Sequence, residues 1–103
     1  MATFNKEIEV KIGDDGLIVL RQPTNKEYNE FEAARYPVKR NVIKDHAREA
    51  RVAFFDLLLV RVEKIEDEQG AITVEEKHRI PERYKTRIVF NAFESNEEIE
   101  VKN

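Results

Sequence analysis

The sequence predicts a single small α+β domain, in the order β-hairpin, helix, helix, β-hairpin, helix. Apolar residues first recur at every second position on both sides of a glycine-containing turn, which is typical of a hairpin. From residue 28 onward they recur at spacings of three and four, which favours helices. With 103 residues, 41% of them apolar, the chain is long enough to bury one core. We expect one domain over residues 1–103, in which residues from about 95 onward form either a flexible acidic tail or a short edge strand carrying Ile99 and Val101.

The first predicted element is a β-hairpin. Ile8, Val10 and Ile12 share one face of a strand, while the residues between them are charged. Residues 13–16, Gly-Asp-Asp-Gly, are typical turn residues, and the apolar residues 17–20 supply the second strand.

The first helix is predicted by its start and stop signals. Thr24 and Glu27 have the spacing of a capping box, in which each side chain accepts a hydrogen bond from the other residue's backbone amide. Pro37 disfavours helical geometry at Tyr36, so we expect the helix to end there. One face of this helix carries three apolar side chains, those of Tyr28, Phe31 and Ala34.

A second helix is predicted from about residue 39 or 41 to near Leu58, because apolar residues follow helical spacing over this range. Two interpretations remain open for residues 60–74: they form a second hairpin with an acidic turn through Gly70, or they extend the second helix. Ile80-Pro81 opens a third helix, since proline fits the first helical turn. We assign eight residues mainly to the core: Tyr28, Phe31, Phe54, Phe55, Leu58, Tyr84, Ile88 and Phe93.

The residue inventory argues against an enzyme. The chain has no cysteine, a single serine, two histidines and three glycines, so thiol chemistry, a cysteine metal cluster and a glycine-rich phosphate loop are excluded. We expect no catalytic, cofactor-binding or metal-binding residues. His46 and Glu49 have a spacing found in metal-binding helices, but two ligands do not make a site. A hydrolase or metal-dependent nuclease built from acidic residues with His46 or His78 remains a third hypothesis that no motif favours.

The composition also indicates in which cellular compartment the protein is expected. The absence of cysteine fits a reducing environment, and the apolar runs on either side of Asp56 are too short to span a bilayer. The N-terminal residues alternate like a strand rather than resembling a charged and then apolar leader. We therefore expect a soluble, cytoplasmic protein without a membrane partner.

Basic residues recur at helical spacing within the second predicted helix. Arg40, Lys44, Arg48 and Arg51 are separated by four, four and three residues, which places them in one stripe on a helix. Like charges at this spacing repel unless phosphate, an acidic partner or the protein's own acidic segments neutralise them. We do not expect nucleic acid to be the partner that neutralises this stripe, because the sequence pI is about 5.5 and no aromatic stacking platform is evident. An acidic protein partner or self-association fits better, and a solvated face is the alternative.

The order of these elements, with several short motifs, resembles a known family. Residues 21–28, Arg-Gln-Pro-Thr-Asn-Lys-Glu-Tyr, follow the hairpin directly; a central apolar helix and an acidic turn come next. Ile-Pro-Glu-Arg-Tyr-Lys at 80–85 then leads to Ile-Val-Phe-Asn-Ala-Phe-Glu at 88–94. This pattern resembles the small tail assembly chaperones of long-tailed bacteriophages and of prophages derived from them.

The resemblance implies a non-enzymatic role in the cytoplasm of a bacterial host. Such chaperones coat the tape measure protein, a long helical and aggregation-prone chain, until tail-tube subunits replace them. Many form homo-oligomers, and some are also made in an extended version by ribosomal frameshifting. We therefore predict a protein-interaction and assembly factor that masks an apolar helical partner. The resemblance supplies no binding motif; the helical spacing alone gives the predicted contact residues, Arg40, Lys44, Arg48 and Arg51. The alternative is a small nucleic-acid-binding regulator that uses the same basic stripe.

Overall fold

The fold is α+β, as predicted. The computed structural model describes residues 6–95. In chain order, the elements are β1 (Ile8–Ile12), β2 (Gly16–Leu20), α1 (Asn25–Arg35), β3 (Val38–Lys39), β4 (Val42–Ile43), α2 (Ala47–Leu58), β5 (Leu59–Glu63), β6 (Glu66–Asp67), β7 (Gly70–Ala71), a 3-10 helix (Val74–Arg79), α3 (Glu82–Val89) and a π-helical turn (Phe90–Glu94).

The predicted first hairpin is confirmed. β1 and β2 pair antiparallel, with Ile8 opposite Leu20 and Ile12 opposite Gly16. Gly16 is required where the hairpin closes, because a Cβ atom there would lie 2.6 Å from the Ile12 carbonyl oxygen. The alternating pattern half-buries the apolar face of β1 and leaves its charged face exposed.

The second hairpin differs from the prediction. β5 pairs antiparallel with β2, giving a three-stranded sheet in the order β1-β2-β5, and it does not pair with residues 71–74. Leu59 directly follows α2 with extended backbone, so the chain reaches the open edge of β2 and buries Leu59 there. The predicted acidic turn through Gly70 forms only the short β6–β7 hairpin, and residues from Val74 onward turn into the 3-10 helix.

α1 has the predicted boundaries. The Thr24 side chain accepts a hydrogen bond from the Glu27 amide, and the Glu27 carboxylate accepts one from the Thr24 amide, at 3.1 and 2.9 Å. The helix ends at Arg35, because Tyr36 leaves helical geometry before Pro37. Phe31 is buried on the inner face, whereas Ala34 is exposed.

The predicted start of α2 is wrong. The helix begins at Ala47, and the preceding residues form the β3–β4 hairpin, whose two turn residues have left-handed backbone conformations. Arg40 and Asn41, at φ 53° and 64°, match the type I′ turn that is common in hairpins with a two-residue loop. The Asp45 carboxylate accepts a hydrogen bond from the Ala47 amide at 3.1 Å, satisfying a donor in the first turn of the helix.

The core lies where β2 meets the three helices. α1 and α3 both pack against α2, and the ring of Phe54 stacks on Phe31 at 4.2 Å and meets Phe93 edge-on at 5.2 Å. Of the predicted core residues, Phe31, Phe54, Phe55, Leu58 and Ile88 are buried, and Tyr28 and Phe93 pack against them from half-buried positions.

The assignment of Tyr84 to the core is wrong. Its side chain is 40% exposed, because it lies on the outer side of α3 over two surface grooves. α3 itself begins directly after Pro81, as predicted, and the π-helical turn that follows it was not predicted. The predicted edge strand with Ile99 and Val101 lies outside the described residues.

Candidate protein-interaction surface

A short hairpin projects from the body of the protein. We define the arm as residues 36–44, which contain β3 and β4. The Lys44 amide donates a hydrogen bond to the Pro37 carbonyl at 2.9 Å, closing the hairpin at its base. The arm carries four exposed large apolar side chains: Tyr36 (48% exposed), Val38 (65%), Val42 (50%) and Ile43 (69%). Scattered apolar residues are normal on a surface, but four on nine consecutive residues form an apolar patch, which makes the arm a candidate contact surface.

The arm is also basic. Lys39, Arg40 and Lys44 give it a charge of +3, and none of these three forms an ion pair with another residue between 6 and 95. Apolar groups and unpaired cations on one projecting element suit a partner surface that is apolar and acidic. No catalytic chemistry follows from this set of groups.

The four predicted contact residues do not share one helical face. Because α2 begins after Lys44, Arg40 lies in the turn of the arm and Lys44 at its base, whereas Arg48 and Arg51 lie on the helix. Arg48 is exposed and pairs with Glu82 of α3 at 3.3 Å. The stripe is therefore divided: two cations belong to the arm, and two are neutralised within the protein.

Arg51 belongs to a buried ion cluster at the root of the arm. Its Nε and Nη2 atoms donate to the two carboxylate oxygens of Glu94 at 2.7 and 2.8 Å, and Arg35 Nη1 donates to the same carboxylate at 2.7 Å. The Glu94 side chain is 4% exposed. Burial raises the pKa of Glu94, but the hydrogen bonds from Arg51 and Arg35 outweigh burial and hold the pKa below its usual value.

This ion cluster fixes the direction of the arm. Arg35 is the last residue of α1, one position before the arm, and its guanidinium also lies 5.1 Å from the centre of the Phe31 ring. The amide of His46, two residues after the arm ends, donates to the Arg35 carbonyl at 2.8 Å. Both ends of the arm are therefore tied to one residue. Sequence reasoning missed Glu94, which carries no local signal because it binds residues 43 and 59 positions away.

Sequence reasoning also missed a buried lysine, Lys85. The Lys85 side chain is 3% exposed, and its Nζ lies 2.8 Å from the Asp56 carboxylate and 5.6 Å from the centre of the Phe55 ring. Lys77 donates to the Asp56 carbonyl at 2.7 Å. The sequence contained a signal, because Asp56 interrupts an apolar run and an acid beside core residues favours a cation facing it.

Arg79 neutralises one acid of the acidic turn, Asp67. Arg79 pairs with Asp67 and with Glu76, and it donates to the carbonyls of Gly70 and Ala71. Hydrogen bonds from Arg79 lower the pKa of Asp67. Through Asp67 and Glu76, Arg79 thus links the turn to the 3-10 helix.

Neither histidine belongs to a group of side chains that could hold a metal ion in the described chain. His46 precedes α2, His78 lies in the 3-10 helix, and both are exposed. Between residues 6 and 95, no group of three or more His, Cys, Asp or Glu side chains is placed to hold a metal ion. In the same part of the chain, no helix combines the length and apolar character needed to cross a bilayer.

Comparisons with protein-family models, with curated proteins and with solved structures find no match to this chain. The resemblance to tail assembly chaperones therefore stays a prediction from the sequence pattern.

Proposed function

We propose that this protein is a non-enzymatic interaction and assembly factor that contacts its partner through the arm. The observation that carries the proposal is the exposure of Tyr36, Val38, Val42 and Ile43 on one projecting hairpin. Burying such side chains against a partner removes apolar surface from water, which is the main source of affinity in most protein contacts. The unpaired cations beside them favour a partner with acidic residues around its apolar surface, and they set its orientation.

The tape measure protein of a phage or prophage tail is the partner that the sequence resemblance suggests. A long helical chain with an apolar face is the kind of surface that an arm of apolar and basic residues would mask. In this interpretation the protein acts in the cytoplasm of a bacterial host, and self-association of several copies along the partner is part of the proposal. Arg40 and Lys44 are the predicted contact residues that remain available for it, since Arg48 and Arg51 are paired within the protein.

The test is an affinity purification of the tagged protein from its native cells after nuclease treatment, with mass spectrometry of all retained proteins. We expect stoichiometric recovery of one very long helical protein. The same purification with the variant Val38→Ser/Ile43→Ser should lose that protein, while Leu57→Ser, which changes an exposed apolar residue outside the arm, should retain it. Recovery of the bait alone with the unaltered chain would overturn the proposal.

The second candidate function is binding of nucleic acid through the cations of the arm. Lys39, Arg40 and Lys44 are exposed on a hairpin, and this arrangement favours contact with phosphate. This candidate predicts retention on a nucleic-acid column that weakens steeply with salt and is lost in Lys39→Glu/Arg40→Glu. Passage of the unaltered protein through the column at low salt would rule it out.

A further inference from the structure

A groove runs between the edge of the sheet and the last helix, away from the arm. β1 is the edge strand of the β1-β2-β5 sheet, so one side of its backbone pairs with no other strand of residues 6–95. The groove beside it has a volume of about 430 Å³. Six apolar residues line it, three from β1 and three from α3 and the π-helical turn: Ile8, Val10, Ile12, Tyr84, Ile88 and Ala92.

The charges at this groove have one sign. Lys11 and Arg87 are the charged residues that line it, and no acidic residue does so in the described part of the chain. Neither cation forms an ion pair with any residue between 6 and 95. This is unusual for the protein, whose net charge is −3 and whose other clefts include acidic residues. The groove therefore favours an occupant that brings carboxylates with it.

The shape of the groove favours an extended occupant. The open edge of β1 offers backbone donors and acceptors at the strand repeat, which an added strand can pair with. At the usual rise, the five residues of β1 extend about 17 Å, long enough to align with three alternate side chains of a partner strand. A helix placed in the groove would leave those backbone groups of β1 without protein partners.

We propose that this groove is a second docking site, which takes an extended segment of a partner protein in which apolar residues alternate with acidic ones. The segment adds to the sheet as a strand beside β1; its apolar side chains enter the groove, its carboxylates lie on the charged face of β1 that carries Lys11, and Arg87 on α3 adds to the positive potential that attracts them. The site is separate from the arm, since no arm residue lines the groove. It goes beyond the proposed function because it assigns a second surface with its own class of ligand.

The neighbouring cleft does not compete for such a segment. It shares Ile12 and Tyr84 with the groove, but it also includes Glu66 and Asp67. Its cation, Arg79, is already paired with Asp67. An acidic segment there would meet two carboxylates, so repulsion directs it to the groove beside Lys11 and Arg87.

The test uses a fluorescein-labelled ten-residue peptide in which Ile and Val alternate with Glu, with binding to the full chain followed by fluorescence anisotropy. We expect saturable binding that is about tenfold weaker in the variant Lys11→Glu/Arg87→Glu, because two favourable charge contacts become unfavourable. A matched peptide with Lys in place of Glu should show the opposite preference between the two proteins. The control variant Lys26→Glu/Arg48→Glu changes the charge equally, but these residues lie on α1 and α2, outside both the arm and the groove, and the variant should bind the acidic peptide as the unaltered chain does.

Backbone pairing is tested separately with N-methylated peptides. Methyl groups on alternate amides block strand addition when those amides face β1, and leave it intact when they face away. We therefore expect one of the two methylation series to abolish binding and the other to preserve it. Absence of binding to the unaltered chain, equal binding to the Lys11→Glu/Arg87→Glu variant, or insensitivity to both methylation series would each overturn the proposal. Loss of partner capture by the arm variants does not affect this peptide assay, so the two proposals can fail independently.

Discussion

At the residue scale, Glu94 holds together three segments that are far apart in the sequence. Its carboxylate binds Arg35 at the end of α1 and Arg51 on α2, while Glu94 itself ends the π-helical turn. A carboxylate that is 4% exposed is stable only with such partners, because burial of an unpaired charge is very costly. The ion cluster thus fixes the root of the arm and the end of the π-helical turn relative to each other.

Replacement of Glu94 should be far more harmful than replacement of an exposed acid. Glu94→Gln leaves two guanidinium groups around a neutral amide, and breaking a buried pair in this way costs about 3–5 kcal/mol. The measurement is the free energy of unfolding from urea denaturation. The matched change Glu82→Gln removes the exposed partner of Arg48 and should cost less than about 1 kcal/mol. Equal losses in the two variants would contradict a structural role for the buried cluster.

At the element scale, the capping box of α1 contributes stability through two hydrogen bonds. Thr24→Ala removes the acceptor for the Glu27 amide and should lower the free energy of unfolding by about 1 kcal/mol. Thr24→Ser is the matched control, because its hydroxyl keeps the acceptor for the Glu27 amide. Chemical denaturation of both variants distinguishes them, and a control loss as large as that of Thr24→Ala would count against the cap.

The arm should be important for binding and unimportant for stability. Val38 and Ile43 are 65% and 69% exposed, so Val38→Ser/Ile43→Ser should change the free energy of unfolding by no more than about 0.5 kcal/mol. The same variant should lose its partner in affinity purification, as proposed above. Thermal unfolding followed by circular dichroism checks the first expectation. A large fall in Tm would mean that the arm packs against the body and is not a free contact surface.

The sequence predicted the elements that have local signals. The β1–β2 turn, the capping box of α1 and Pro81 before α3 each specify their geometry within a few residues. The arm escaped prediction because its turn, Arg40-Asn41, contains no glycine, although both residues have positive φ. Because Arg40 and Lys44 have the four-residue spacing of a helix, they were assigned to the second helix instead.

Long-range contacts account for the other differences. β5 pairs with β2, which lies about forty residues earlier, and spacing within 60–74 carries no information about that choice. The Glu94 cluster and the groove beside β1 likewise join residues from opposite ends of the chain. Two cations of the candidate surface, Arg40 and Lys44, were therefore predicted from the sequence. The hairpin geometry of the arm and its exposed apolar residues were not.

At the scale of the whole molecule, the charged residues form two groups: some are ion-paired within the protein, and others remain unpaired on its surface. Several acids with lowered pKa values are bound by arginines of the same chain, as in the pairs of Arg21 with Glu27 and Arg79 with Asp67. The cations that remain without an ion pair in the described chain include those of the arm and of the groove. An acidic protein thereby presents two basic, partly apolar surfaces, which suits an acidic partner that contacts both.

The ion-paired carboxylates predict that the free energy of unfolding falls at acid pH. A hydrogen bond from Arg21, and then one from the Thr24 amide, lower the pKa of Glu27 to about 2 from an ordinary 4.5. Hydrogen bonds to Arg79 or Thr73 lower the pKa values of Asp67 and Glu76. Because folded pKa values are depressed, the unfolded chain binds more protons below its ordinary carboxyl pKa. This contribution is therefore complete above about 4.5 and is lost as pH falls toward 2.

Urea denaturation at a series of pH values between 7 and 2 measures this effect. We expect the free energy of unfolding to be nearly constant from pH 7 to 5, and then to fall steadily between pH 4.5 and 2. Glu27→Gln should be less stable than the unaltered chain at pH 7, and its curve should be flatter below pH 4.5, because one of the depressed groups no longer titrates. The two curves should converge near pH 2, where protonation has removed the same ion pair from the unaltered protein. A constant difference between the curves at every pH would show that the Glu27 charge does not stabilise the fold.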